Sequence, residues 1–140
     1  LSVINDMVAI ETYIKALFPT ATTGKQDVPA QPPANSFYVR LLDEDRETET
    51  RYHFRIDRVY QIVHIAQRPD TVLANMDALS TAIYQKELIG SIRINAFSIS
   101  QPAKTENGLF AIIGLLDTSV RQARVQTNYP KINNVGVSRI

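Results

Sequence analysis

Residues 41–56, LLDEDRETETRYHFRI, hold the densest chemistry in the chain: the carboxylates Asp43, Glu44, Asp45, Glu47 and Glu49, with Arg46, Arg51 and Arg55 threaded among them. Carboxylates this close together can ligate a hard cation, work as a general acid and base, or simply form a charged surface. An EF-hand calcium loop needs a glycine at its sixth position and a closing glutamate, and no glycine occurs between residues 25 and 89. Acid–base work needs a cleft that moves the carboxyl pKa values, whereas a turn with interleaved arginines projects into water. The stretch therefore reads as a solvated or protein-contacting turn.

The other candidates for chemistry are sparse. His53 and His64 stand eleven residues apart; on a regular strand they face opposite sides, separated by about 35 Å at roughly 3.3 Å per residue, and cannot share a metal. A lone strand histidine is most often a surface residue or a satisfied core residue. A hydrolase built on Asp57 and His64 meets the same obstacle, because these two also lie on opposite faces of a regular strand. Ser36, Ser98 and Ser100 fall in or beside strand-like segments, and no G-x-S-x-G elbow is present. The five glycines, at 24, 90, 108, 114 and 136, build neither a dinucleotide-binding nor a Walker pattern. No cofactor and no metal site is expected.

These residues sit in an order that the apolar spacing makes readable. Val3, Met7, Ile10, Ile14 and Leu17 make one stripe of an opening helix, which should stop by Phe18 because Pro19 disfavours α geometry before it. Residues 19–35 read as a long surface loop, stiffened at its end by Pro29, Pro32 and Pro33. SFYVRLL and TRYHFRIDRVYQIVHIA then read as two strands, so the charged stretch is the turn region of a hairpin. Past Ile56 the alternation blurs, as a β-bulge or burial of both faces would produce, because Val59, Val63 and Ile65 are apolar alongside Tyr60 and Ile62. A second helix follows, capped by Asp70, with Val72, Met76, Leu79 and Ile83 in one stripe joined by Leu73 and Ala82, and with Gly90 at its end. SIRINAFSIS and GLFAIIGLLDTSV close the pattern as two strands, the second central because residues 109–116 are apolar on both parities. The expectation is an α+β domain of order α-β-β-α-β-β, with a mostly antiparallel sheet of about four strands and two helices packed on it.

Composition bounds the function classes. At 140 residues and 44% hydrophobic the chain suits one domain with its own core. A net charge of +1 argues against a general nucleic-acid binder. No cysteine is present, which removes disulfides and thiolate chemistry. No apolar run approaches the roughly 20 residues that span a bilayer, and Asp6 and Glu11 stand where a signal peptide carries cations, so the expectation is a soluble, unexported protein with no membrane partner. Beyond Thr118 the pattern fades into a basic tail, 121–140, whose Arg121, Arg124, Lys131 and Arg139 have no acid near them in sequence. That tail suits protein contact, for example strand addition to a neighbour's sheet, better than phosphate binding.

An amino-terminal helix ending in Phe-Pro, a proline-bearing loop, the strand pair FYVRLLDEDRETETRYHFRIDRVYQIVHI, a helix after RPD and a closing hairpin together resemble the tail terminator proteins of long-tailed bacteriophages and prophage-like elements. The likeness spans roughly residues 2–120, and it implies a single terminator-like α+β domain over 1–120. It also implies a structural, non-enzymatic virion protein without cofactors, assembled in the bacterial host cytoplasm and placed at the head-proximal end of the tail. Such a protein forms a ring, a hexamer in this family, that caps the tail tube, ends elongation and joins the head–tail connector, with DNA passing through its lumen and no sequence-specific nucleic-acid contact. On this reading the loop 19–35 and the hairpin residues Arg40, Asp43, Glu44, Asp45, Arg46, Glu47, Glu49, Arg51, Arg55 and Arg58 meet a neighbouring subunit or the tail tube. The alternatives are a head-completion or connector protein of the same particle, a bacterial adaptor that binds an acidic partner through the basic tail, and the small hydrolase considered above.

Overall fold

A computed structural model describes residues 2–86 and 88–125. The first helix, α1 (Val3–Leu17), starts where the Ser2 hydroxyl accepts the Asn5 N–H at 3.1 Å, and ends at Phe18, whose backbone leaves helical geometry before Pro19. Met7, Ile10 and Ile14 are buried as the stripe requires, while Leu17 at its end is exposed. The second helix, α2 (Pro69–Lys86), opens with proline in its first turn, where the missing N–H costs nothing. Asp70 thus lies inside the first turn instead of capping it, and Val72, Met76, Leu79 and Ile83 form the buried stripe, with Leu73 exposed beside it.

Among the described residues the sheet has seven strands: β1 (Thr22–Lys25), β2 (Ser36–Thr48), β3 (His53–Ala66), β4 (Leu88–Ile89), β5 (Ile92–Ile99), β6 (Ala103–Lys104) and β7 (Phe110–Ala123). Their order is β1-β2-β3-β7-β5-β4, with β6 alongside β7. The four long strands are the expected ones, and β7 is central between β3 and β5. Three short strands correct the expected count. β1 lies inside what reads as loop 19–35 and pairs parallel with β2, so the sheet is mixed. β4 and β6 are two-residue strands, too short for any periodicity to register. Gly90 does not end α2; with φ of 61° it turns the chain between β4 and β5, where a left-handed residue suits a two-residue hairpin.

Both helices cover one face, α1 over β1 and β2, α2 over β3, β7 and β5. Phe37, Val39, Tyr60, Ile62, Ile112 and Leu116 meet them from the sheet. Gly114 gives α2 its close approach, because a Cβ there would lie 2.6 Å from Phe97 Cζ and 2.8 Å from Met76 Cε. β3 carries no bulge: Ile56, Arg58, Tyr60, Ile62 and His64 point inward and the residues between them are partly exposed, until both faces are buried at Ile65 and Ala66. The irregularity sits in β2, where a bulge between Leu41 and Asp43 flips the parity, so Phe37 and Val39 face the core but Glu44, Arg46 and Thr48 take that face further on. A second bulge separates Ile94 from Ala96.

Candidate functional site on the β2–β3 hairpin

The hairpin is long because β2 and β3 stay paired out to Thr48 and Phe54, past the reach of β1, which covers only Ser36–Val39. The carboxylates do not cluster at the tip: Asp43–Glu47 lie along β2, and the turn itself is Glu49–Tyr52, closed by Glu49 and Thr50 N–H groups that both donate to the His53 carbonyl. Strand alternation then sorts the charges onto two faces.

On the core side, Arg58 is 2% exposed. Its Nη1 donates to Asp6 Oδ2 of α1 at 2.7 Å and its Nε to Glu44 Oε1 at 2.7 Å. The guanidinium lowers the Glu44 carboxyl below its ordinary range, whereas burial pushes the Asp6 carboxyl up, with Arg58 opposing. The Tyr60 hydroxyl lies buried beside this group without a well-formed hydrogen bond among the described residues. Further out, Glu44 also accepts from Arg46 Nε at 3.2 Å, and the guanidinium carbons of Arg46 and Arg124 stand 5.9 and 5.4 Å from the Phe54 ring centre. Arg124 Nη2 donates to Thr48 Oγ1 at 2.9 Å.

On the opposite face, Arg55 Nε donates to Asp57 Oδ1 at 2.9 Å, and its Nη2 donates to Glu47 Oε2 at 3.2 Å. Arg121 Nε donates to Glu49 Oε1 at 2.6 Å, holding the Glu49 carboxyl below its usual range. Glu49, Arg55, Asp57 and Arg121, together with Arg93, Asn95, Asp117 and Ser119, line a solvent-open polar basin of about 550 Å³.

The expected site residues therefore divide. Arg40, Asp43, Asp45, Arg46, Glu47, Glu49 and Arg51 are exposed and Arg55 is half-buried. Arg40 Nη1 donates to Gln61 Oε1 at 3.2 Å, and Asp43 Oδ1 accepts the Glu44 N–H at 3.0 Å. Arg58 is committed inside the protomer, where it ties the hairpin to α1. Sequence reasoning missed Asp6, Phe54, Arg121 and Arg124. Arg121 is opposed by an acid after all, one 72 residues away in sequence, and no local pattern reports that. β7 runs through Ala123, so Arg121 belongs to the sheet, while Lys131 and Arg139 lie outside the described residues.

Asp57 and His64 do face opposite sides of β3, as their spacing requires. His64 is a satisfied core histidine: Asn75 Nδ2 donates to Nε2 at 3.0 Å, so Nδ1 carries the proton and donates to the Ser36 carbonyl at 3.0 Å. Its ring stacks on Phe37 at 3.9 Å, and burial lowers its pKa. Among the described residues no three His, Asp or Glu side chains are grouped to hold a metal ion, and no helix is long and apolar enough to cross a membrane.

The sequence matches no protein-family model and no curated protein. Among solved structures it is similar to a chain of the virion of a native gene transfer agent particle, at 19% identity over 89% of this chain and all of that one, with a TM-score of 0.46. A likeness that loose carries no argument about role, and the hairpin's geometry has to carry it.

Proposed function

We propose that this protein is a structural subunit of a phage-like particle, which assembles into a ring, caps the tail tube and offers the surface that joins tail to head. The observation that carries the reading is the hairpin: β2 runs on past β1 and leaves an open edge over residues 42–48, while β7 flanks β3 to the tip, and charged side chains stand on both faces. The resemblance of the sequence to tail terminators supplies the direction. A ring subunit needs repeated contact surfaces, and charges of both signs along an open sheet edge set register and partner choice between copies. In this proposal the contact residues are Arg40, Asp43, Glu44, Asp45, Arg46, Glu47, Glu49, Arg51 and Arg55, and the partners are further copies of the chain, the tail tube protein and the head–tail connector. The protein's work is then contact and not catalysis.

The test is a charge reversal that spares the core. Arg46→Glu with Arg51→Glu alters two exposed side chains, so circular dichroism and thermal stability should hardly change. Ring formation, read by light scattering and imaging, and docking to the tail tube should fall. Unchanged assembly on the tube would remove the hairpin from the account.

A further inference from the structure

Resting on that reading, we infer that the ring closes by joining the open edge of β2, residues 42–48, to the open edge of β5, residues 94–99, of the next copy, which makes one continuous antiparallel sheet. Both edges are bare among the described residues: β1 pairs only with Ser36–Val39, and β4 only with Ile92 and Arg93. β2 and β5 sit on opposite sides of the sheet, with β3 and β7 between them. Each neighbouring pair there is antiparallel, so β2 and β5 run in opposite directions and their junction is antiparallel too.

Backbone groups on the two edges already reach for partners. The Glu49 N–H donates to the His53 carbonyl, which places Glu49 in a hydrogen-bonded pair; alternation then turns the Glu44, Arg46 and Thr48 amides away from β3. The outward Glu44 N–H is met by the Asp43 carboxylate next to it, at 3.0 Å. On the other edge the Phe97 N–H is met by the hydroxyl of Tyr84, a half-exposed side chain of α2, at 2.7 Å. Placing Glu44 opposite Phe97 exchanges both side-chain caps for backbone hydrogen bonds.

That register also satisfies the side chains. A strand must shift by an even number of residues to keep its faces, and with Glu44 across from Phe97 the outward-facing Asp43 stands across from Ser98. Asp45 then stands across from Ala96, and the bulge between Ile94 and Ala96 brings Glu47 toward Arg93 on the same face. Asp43, Asp45 and Arg93 have no ion pair among the described residues. The acidic row along β2 also opposes pairing of two β2 edges with each other, because like charges directly across a sheet repel. A head-to-tail join of two different edges generates a ring or a filament instead of a two-fold dimer.

The chain has no cysteine, so it accepts a clean cross-linking test. The double variant Asp43→Cys/Ser98→Cys cannot close within a protomer, since three strand spacings of about 4.8 Å put the two positions roughly 14 Å apart, beyond disulfide reach. Oxidation of assembled protein should give a ladder of covalent oligomers that ends at the ring, and neither single variant should give more than trace dimer. Rings imaged without the ladder would overturn the edge junction and leave the ring function standing. A strong dimer from Asp43→Cys alone would overturn it in favour of β2–β2 pairing. A chain that stays monomeric both free and on tail tubes would overturn the junction and the ring together.

Discussion

Replacing Arg58 by alanine should destabilise the protein more than any other single charge removal in the hairpin. The side chain is 2% exposed and donates to two carboxylates at 2.7 Å, one of them the buried Asp6 of α1. Its loss leaves Asp6 without its cation and opens space beside the buried Tyr60 hydroxyl. Breaking a buried ion pair from one side costs about 3–5 kcal/mol. Against a total stability of about 5–15 kcal/mol, that removes a large share. For a chain of this size it lowers Tm by roughly 10–17 °C. Urea unfolding followed by circular dichroism measures it through the shift in midpoint. The double variant Asp6→Leu/Arg58→Met should recover most of the loss, since apolar residues of similar volume replace a buried pair with little penalty. Glu44 keeps Arg46 in that background. A loss below about 1 kcal/mol for Arg58→Ala, or a double variant as weak as the single, would refute the claim that this arginine ties the hairpin to α1.

Three further outcomes follow from particular contacts. Gly114→Ala places a methyl 2.6 Å from Phe97 and 2.8 Å from Met76, and overpacking of this kind costs about 1–3 kcal/mol in the same unfolding assay. His64 has a depressed pKa in the folded state, so the unfolded chain takes up its proton first. Its contribution is complete above the unfolded value near 6.5 and is lost as pH falls toward the folded value, with a slope of at most about 1.4 kcal/mol per pH unit; His64→Gln should flatten the stability profile in that window. Arg121→Gln breaks an exposed pair with Glu49, and thermal melting should not register it.

What the sequence could and could not announce follows from how far each partner lies along the chain. Both helices were readable because four-residue stripes such as Val72, Met76, Leu79 and Ile83 repeat within one element. The hairpin was readable because period-two alternation surrounds a glycine-free turn. β7 declared itself central because Ile112 and Ile113, neighbours on opposite faces, are both apolar. The blur past Ile56 came from Val59 and Val63, partly buried on the second face of an unbroken strand, whereas the bulge lies across the ladder at Leu42. Arg58 read as one more surface cation in an alternating run. Its burial depends on Asp6, 52 residues earlier, and no window on the sequence reaches that far.

Electron microscopy of particles assembled without this protein reads out tail capping itself. Loss of a ring that ends elongation gives tails of uncontrolled length, and restoring the intact chain returns them to a single length. Tails of normal length left unattached to heads would contradict the account and favour a connector on the head side.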